Sequence, residues 1–383
     1  MRPVYAVADV HIGNHRVFAS PAHAGVNDRA AETAELLRQA VYKASTAGAL
    51  GLLVCGDLAD NDDLSPQLLA LVAEVLSEST VPVALLVGNH DQRSALPGDH
   101  ALGVLGAIPG VRVYDGPGVL PLGHGEDAAD VLVVPFQQRP AHEYIPATAR
   151  ELAPQCRPGA RRVLAAHAGV LDEKTSPWLR DSHEAVSADV LLDLLTELSV
   201  GVAFLGNWHD RRSWARSTHR VMQVGALCPT GFDNPGGAGL YGSVAWWASH
   251  TDCGTHELPG PRFFNVASET ELQRALADPS ATRRFVSYRN LPADLLPAVA
   301  KRLAGLQQSA RITGFRVSED KGAAESGRVA AATAAQAATS LDDALERYVT
   351  RAPLPPSVTA PEVLAEARRF LGNTTVSTSE SPA

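Results

Sequence analysis

The chain is poor in cysteine and has no pattern for pairing what it has. Cys55, Cys156, Cys228 and Cys253 stand far apart in 383 residues, and no C-x-x-C occurs. Neither a thiolate metal site nor a disulfide framework is therefore expected, and a reduced cytoplasmic protein with incidental thiols is the simpler reading. Long apolar runs are missing too. None approaches the roughly 20 residues that cross a bilayer, and the opening MRPVYAVADVH enters a strand pattern directly, without a signal-peptide layout. No membrane partner is expected. Positive charge is also scarce. The formal net charge of −9 argues mildly against a nucleic-acid binder, but it is unevenly spread. Residues 1–260 hold 18 Lys and Arg against 29 Asp and Glu, whereas residues 261–383 hold 15 against 13. An acidic first part suits a pocket for cations as well as it suits a solvated surface, and two bound divalent cations would reverse the local field.

What the chain does have is length and apolar residues. At 383 residues and 45% apolar content it can bury one large domain and a smaller one. Residues 81–91, VPVALLVGNHD, organise the first part: an apolar run that stops in Gly88-Asn89-His90-Asp91. Such a run reads as a buried parallel strand, and its polar end falls at the carboxyl edge of a sheet, where open α/β sheets collect ligands. Taken alone, the tetrapeptide is equally a polar turn.

The pattern recurs. Residues 4–13, VYAVADVHIG, end in Asp9-x-His11, two ligand types that an extended segment would aim to one side. Residues 50–57, LGLLVCGD, end in Asp57, residues 161–169, RRVLAAHAG, reach His167, and residues 201–205 lead into Gly206-Asn207-Trp208-His209. Helical spacing separates them at 28–47, 66–76, 143–153 and 185–198, so strands and helices alternate as in βαβ units. Further strands are expected at 111–114 and 130–136, and at 219–227 and 241–248, the last two in a second sheet. Any one of these histidines alone is more often structural than ligating. Together the strand ends offer a set of oxygen and nitrogen donors without sulfur, which suits Mn²⁺, Fe²⁺ or Zn²⁺.

The order D-x-H, G-D, G-N-H-D, H, G-x-x-H resembles the calcineurin-like metallophosphoesterase superfamily over roughly residues 1–250. The resemblance implies a two-sheet β-sandwich flanked by helices, an α/β (α+β sandwich) fold. It also implies two divalent metal ions, Mn²⁺ first and Fe²⁺, Zn²⁺ or Mg²⁺ as alternatives. Asp9, His11 and His209 would bind one metal, Asp57 would bridge both, Asn89 and His167 would bind the second, and His90 would contact the scissile phosphate. Asp91 would either hold the His90 ring or cap a helix. The family's last motif is usually G-H-x-H. Asn207 stands here in place of its first histidine, so the second ion is expected to bind less tightly. The chemistry implied is phosphodiester hydrolysis by a metal-bridging hydroxide.

Within that superfamily the chain is similar to SbcD-type DNA nuclease subunits of bacteria and phages, on account of the segment beyond residue 266. The resemblance then implies DNA as substrate, an SbcC-type ATPase as a partner, and a homodimer as a further possibility. The alternative is a small-nucleotide phosphodiesterase or phosphatase on the same core. Arg211, Arg212, Arg216, His219 and Arg220, with Trp208 and Trp214, could form a basic, aromatic rim for a nucleic-acid backbone, or equally a solvated hairpin with packed tryptophans. The expected organisation is a phosphoesterase domain at 1–266, closed by a strand at 261–266, and a small C-terminal α+β capping module at 267–317. An Ala-rich linker at 318–340, helices within 341–372 that could dock a partner, and a disordered tail at 373–383 complete it.

Overall fold

Alternation along the strands sorts the interior into layers. In the first strand Val4 and Ala6 face one cluster of buried side chains while Tyr5 and Val7 face another, and in the next Leu53 and Cys55 separate from Leu52 and Val54 in the same way. A computed structural model describes residues 1–23, 25–94, 96–175, 182–232 and 242–319, with Thr359 and Pro361. The expected linker, C-terminal helices and tail lie outside the described residues. Met1–Ser318 form one compact unit.

In chain order the elements that build the sandwich are β1 (Val4–Val7), α1 (Asp28–Thr46), β2 (Gly51–Cys55), α2 (Pro66–Ser77), β3 (Val83–Leu86), β4 (Val111–Tyr114), β5 (Gly118–Leu122), β6 (Ala129–Val134), α3 (Ala141–Leu152), β7 (Arg161–His167), α4 (Ala188–Glu197), β8 (Val202–Gly206), β9 (Arg212–Arg216), β10 (His219–Gln223), β11 (Ser243–Trp247) and β12 (Cys253–Glu257). One sheet has the order β12-β11-β1-β2-β3-β4 and the other β9-β10-β8-β7-β6-β5. The central pairs β1–β2, β2–β3, β6–β7 and β7–β8 are parallel. Phe204, Leu53, Val131 and Met222 pack between the sheets. Helices α1 and α2 cover the outer face of the first sheet, and α3 and α4 that of the second. The helix starts have local causes: the Asn27 side chain accepts from the Ala30 amide, and Ser65 with Pro66 opens α2. No helix among the described residues is long and apolar enough to cross a membrane.

Three expectations are corrected. The strands at 219–227 and 241–248 do not share a sheet, since β10 lies beside β8 in the second and β11 pairs with β1 in the first. Residues Ala185–Ser187 are not the start of α4: they pair in parallel with Gly169–Leu171, and the helix begins at Ala188. Between the strands expected at 111–114 and 130–136 a further one, β5, forms; its Pro121 is tolerated on an edge strand. The strand at 261–266 does not close the sandwich. As β13 (Gly260–Val266) it pairs in parallel with β14 (Ala281–Leu291) across α5 (Glu269–Ala277). Helix α6 (Leu296–Gln308) and β15 (Gly314–Glu319) complete this three-stranded module.

Phe204 is fully buried between the two sheets. Phe204→Ala should cost about 3–5 kcal/mol of unfolding free energy, read by chemical denaturation. A cost under about 1 kcal/mol would mean that the sheets do not pack through this residue.

Candidate metal centre

The loops that follow β1 and β2 are laced together beyond the strands. The amides of Asp9, His11 and Ile12 donate to the carbonyls of Gly56, Asp57 and Leu58 at 3.2, 3.0 and 2.9 Å. Asp9, His11 and Asp57 take φ of 48°, 48° and 50°, and Asn207, after β8, takes 88°. All four lie in the left-handed region, which costs a non-glycine residue of order 1–2 kcal/mol and clusters at functional sites. This corrects the extended Asp9-x-His11 expected from sequence: the pair converges through two left-handed residues. The motif glycines are required for close approach. A Cβ on Gly56 (φ +90°) would lie 1.9 Å from His167 Nδ1, and one on Gly88 2.1 Å from Asp57 Oδ1.

Those loops bring six of the predicted ligands and phosphate contacts into one cluster. Asp9, His11 and His209 form one group, Asp9, Asp57 and His167 another, and His11, Asp57 and His90 a third, each with its ligand atoms within 4.8 Å of one another. Asn89 joins through its Oδ1, 2.8 Å from His167 Nε2. His167 Nδ1 donates to the Cys55 carbonyl at 2.8 Å, which turns Nε2 toward Asn89 Oδ1 and toward Asp57 Oδ2 at 3.4 Å. Two acceptors facing one ring nitrogen need a proton or a cation between them. On the other side His11 Nε2 and His209 Nε2 face each other at 2.9 Å. Asp9 Oδ2 is buried with no hydrogen-bond partner among the described residues. This donor set fits two divalent ions, and Asp57, which belongs to two of the groups, could serve both.

Burial shapes the charges. It draws His11 down to about 3 and His209 down to about 4, so both imidazoles are neutral and keep a lone pair. Burial pushes Asp9 up to about 7, with the Asp57 charge adding and His167 opposing. Burial also works against the Asp57 carboxylate, but His167, His11 and His90 outweigh it and hold the group below the usual range. Burial would lower His167, yet Asp57 and Asp9 raise it to about 10.

Three partners differ from those expected. Asp91 neither holds the His90 ring nor caps a helix. Fully buried, it accepts the Ala59 amide on one oxygen and the Gly88 amide on the other, both at 2.8 Å, tying the Asp57 loop to the Asn89 loop. The His90 ring instead donates from Nδ1 to the Asp60 carbonyl at 2.9 Å, while the His90 amide donates to Asp57 Oδ1 at 2.9 Å. Asp60 was missed, although the G-D-x-x-D spacing was visible; its carboxylate also lies 3.8 Å from His11 Nδ1 and 3.6 Å from His15 Nδ1. Asn207 donates its amide to Asp9 Oδ1 at 2.8 Å, but its side-chain nitrogen faces Glu184, a residue that carried no sequence signal.

Half of the expected basic rim is neutralised. Arg212 pairs with Asp172 at 3.1 Å and with Asp210, and Arg216 with Asp189 and Asp193. His219 Nδ1 donates to the Val200 carbonyl, and Trp214 Nε1 to Asp172. The Trp208 indole lies so close to Gly169 that a Cβ there would meet it at 2.2 Å. Arg211 and Arg220 donate to Thr255 and Ser213 hydroxyls and form no ion pair among the described residues.

Residues 2–211, more than half of the chain, match the family described as calcineurin-like phosphoesterase. The chain belongs to that family. As a calcineurin-like phosphoesterase it is a hydrolase of ester bonds, and the family and the ligand cluster together support a dinuclear divalent-metal site. No curated protein matches it. Among solved structures it is similar to the protein TT1561 of Thermus thermophilus, at 14% identity and TM-score 0.42, covering 67% of this chain and 98% of that one. It is similar to a dimetal phosphatase from Danio rerio at 12% identity and TM-score 0.38, over 66% of this chain and 98% of that one. The phosphopantetheinyl hydrolase of Mycobacterium tuberculosis gives 15% identity and TM-score 0.37, over 59% and 90%.

The geometry generates two measurements. Protons on Asp9 and His167 compete with a cation, so binding of Mn²⁺ should release protons and tighten as pH rises through about 7. Calorimetry on either side of neutrality, in buffers of different ionisation enthalpy, reads both effects; pH-independent affinity would contradict the assignment of Asp9 and His167 as ligands. Asp91→Ala orphans two buried amides and should cost about 3 kcal/mol of stability, read by denaturant unfolding. If stability is unchanged, the Asp91 tie does not hold the loops.

Proposed function

We propose that this phosphoesterase hydrolyses phosphodiester bonds in DNA, as an exo- or endonuclease of the SbcD-like kind. The observation that carries the reading is the position of His90. Its ring is exposed, while Asp9, His11, Asp57 and His167 beneath it are buried. A phosphate on a polymer backbone can reach a group placed at such an open mouth, with no need for the rest of the substrate to enter. Two divalent ions held by the cluster, Mn²⁺ being the first choice, would supply positive charge for the phosphoryl oxygens and a nucleophile near neutral pH.

The side chains do the rest. His90 carries its proton on Nδ1, because the Asp60 carbonyl can only accept, and this leaves Nε2 as the ring's other working atom. Protonated, the ring would stabilise charge on the phosphoryl group or deliver a proton to the leaving oxygen. The hydrogen bond from the His90 backbone amide to Asp57 Oδ1 fixes the ring's base relative to the carboxylate that would be shared by the two ions. Asn89 and His167, held against each other, would bind the second ion.

A second reading, a small-nucleotide phosphodiesterase, is favoured by the rim. Arg212 and Arg216 are already paired with carboxylates, which reduces the charge available to a DNA backbone. An SbcC-type ATPase and a homodimer remain proposals that accompany the nuclease reading.

The test is hydrolysis by the Mn²⁺-loaded protein of end-labelled single- and double-stranded DNA and of a 2′,3′-cyclic nucleotide, with His90→Ala alongside. DNA should be cut, and the variant should lose roughly 10²–10⁴-fold in turnover with metal content unchanged. Turnover of the cyclic nucleotide alone selects the second reading. Loss of metal in the variant would make His90 a ligand instead.

A further inference from the structure

We infer that Glu184 is a positioning residue for the second metal: it fixes the side-chain amide of Asn207 so that the oxygen, and not the nitrogen, is presented to the cluster. The inference rests on the dinuclear reading of the site.

Asn207 stands beside the ligands. It comes directly after Gly206, whose register partner on β7 is His167, and its backbone amide donates to Asp9 Oδ1 at 2.8 Å. A planar amide has two different ends, one a donor and one an acceptor. Only the oxygen can coordinate a cation, and the NH₂ group turned toward one would repel it. Left alone in a loop, the amide could rotate to either orientation.

Glu184 removes that freedom. Asn207 Nδ2 lies 3.4 Å from the Glu184 backbone carbonyl and 3.4 Å from Glu184 Oε2. Both atoms are acceptors, so the NH₂ end must face them, and the oxygen is turned away from Glu184. The reversed amide would set its oxygen against a carbonyl and a carboxylate at once.

Glu184 is itself held on three sides. Its amide donates to Ser182 Oγ at 3.2 Å and its carbonyl accepts the Gly169 amide at 2.9 Å. The carbonyl of the preceding His183 accepts the Ala141 amide at 2.7 Å, and Ala185–Ser187 pair with Gly169–Leu171, two residues beyond His167. The clamp is thus tied to the segment that follows β7, two residues beyond His167, the expected second-metal ligand. Orientation of a ligand by an outer hydrogen-bond partner typically changes metal affinity by 10–100-fold.

The experiment is calorimetric titration of the full chain with Mn²⁺, supported by metal analysis. It uses wild type, Glu184→Ala, Glu184→Gln, Asn207→His, and the Asn207→His/Glu184→Ala double variant. Wild type should take two ions, one more weakly. Glu184→Ala should weaken the weaker site by about tenfold or more and leave the tighter one unchanged. Glu184→Gln should stay within about threefold of wild type, since its side-chain oxygen and backbone carbonyl still accept. In the Asn207→His background, loss of Glu184 should no longer matter, because an imidazole ligand does not need this clamp. Equal second-site affinity in wild type and Glu184→Ala overturns the inference. So does a Glu184→Gln as weak as Glu184→Ala, which would mean that the charge acts directly on the ion. A wild type that binds no second ion would instead overturn the dinuclear reading beneath it.

Discussion

A buried carboxylate can keep its charge only if something positive or proton-donating faces it. Asp57 is 1% exposed, and the protein supplies His167, His11 and His90 around it together with the His90 amide. The rest of the centre is arranged to make that possible. Two glycines leave space for the contacts, three ligand residues take left-handed backbone conformations, and the first two ligand loops are bonded to each other over several residues. Cations at the centre would relieve the same difficulty more completely than imidazolium does, because they would also satisfy Asp9 Oδ2, which has no partner among the described residues. The site and the sheets are thus one problem: parallel strands end together, and the charge they gather needs an external counter-charge.

Much of this was legible in the sequence, for a physical reason. Asp9, His11, Asp57, Asn89, His90, His167 and His209 each sit at or within a few residues of the end of an apolar strand, so their placement depends on local pattern plus the parallel order of strands. What the sequence hid depends on distant pairing. Asp91 looked like a partner for its neighbour His90, yet its two oxygens go to amides at Gly88 and Ala59. The arginines after His209 looked like free charge, but Asp172, Asp189 and Asp193 come back from other elements to meet two of them. The strand expected at 261–266 reads as the end of the sandwich because nothing before β14 reveals which sheet it will join.

The small module after the sandwich is fastened to the segment that leaves the first ligand loop. Phe18, seven positions after His11, stacks on Phe285 of β14 with ring centroids 5.4 Å apart, and Phe263 of β13 stacks on the same ring at 4.5 Å. Arg29, at the start of α1 and 1% exposed, lies over Phe263 at 4.8 Å and donates to the carbonyls of Val17, Pro229 and Thr230. Arg283 of β14 reaches Asp28 and Glu32 of α1 at 2.9 and 3.0 Å. Moving the module away as a hinged cap would expose those rings and leave the buried Arg29 guanidinium without its cover, an expensive combination. The module therefore acts as part of the wall that sets the path of the chain from His11 to α1.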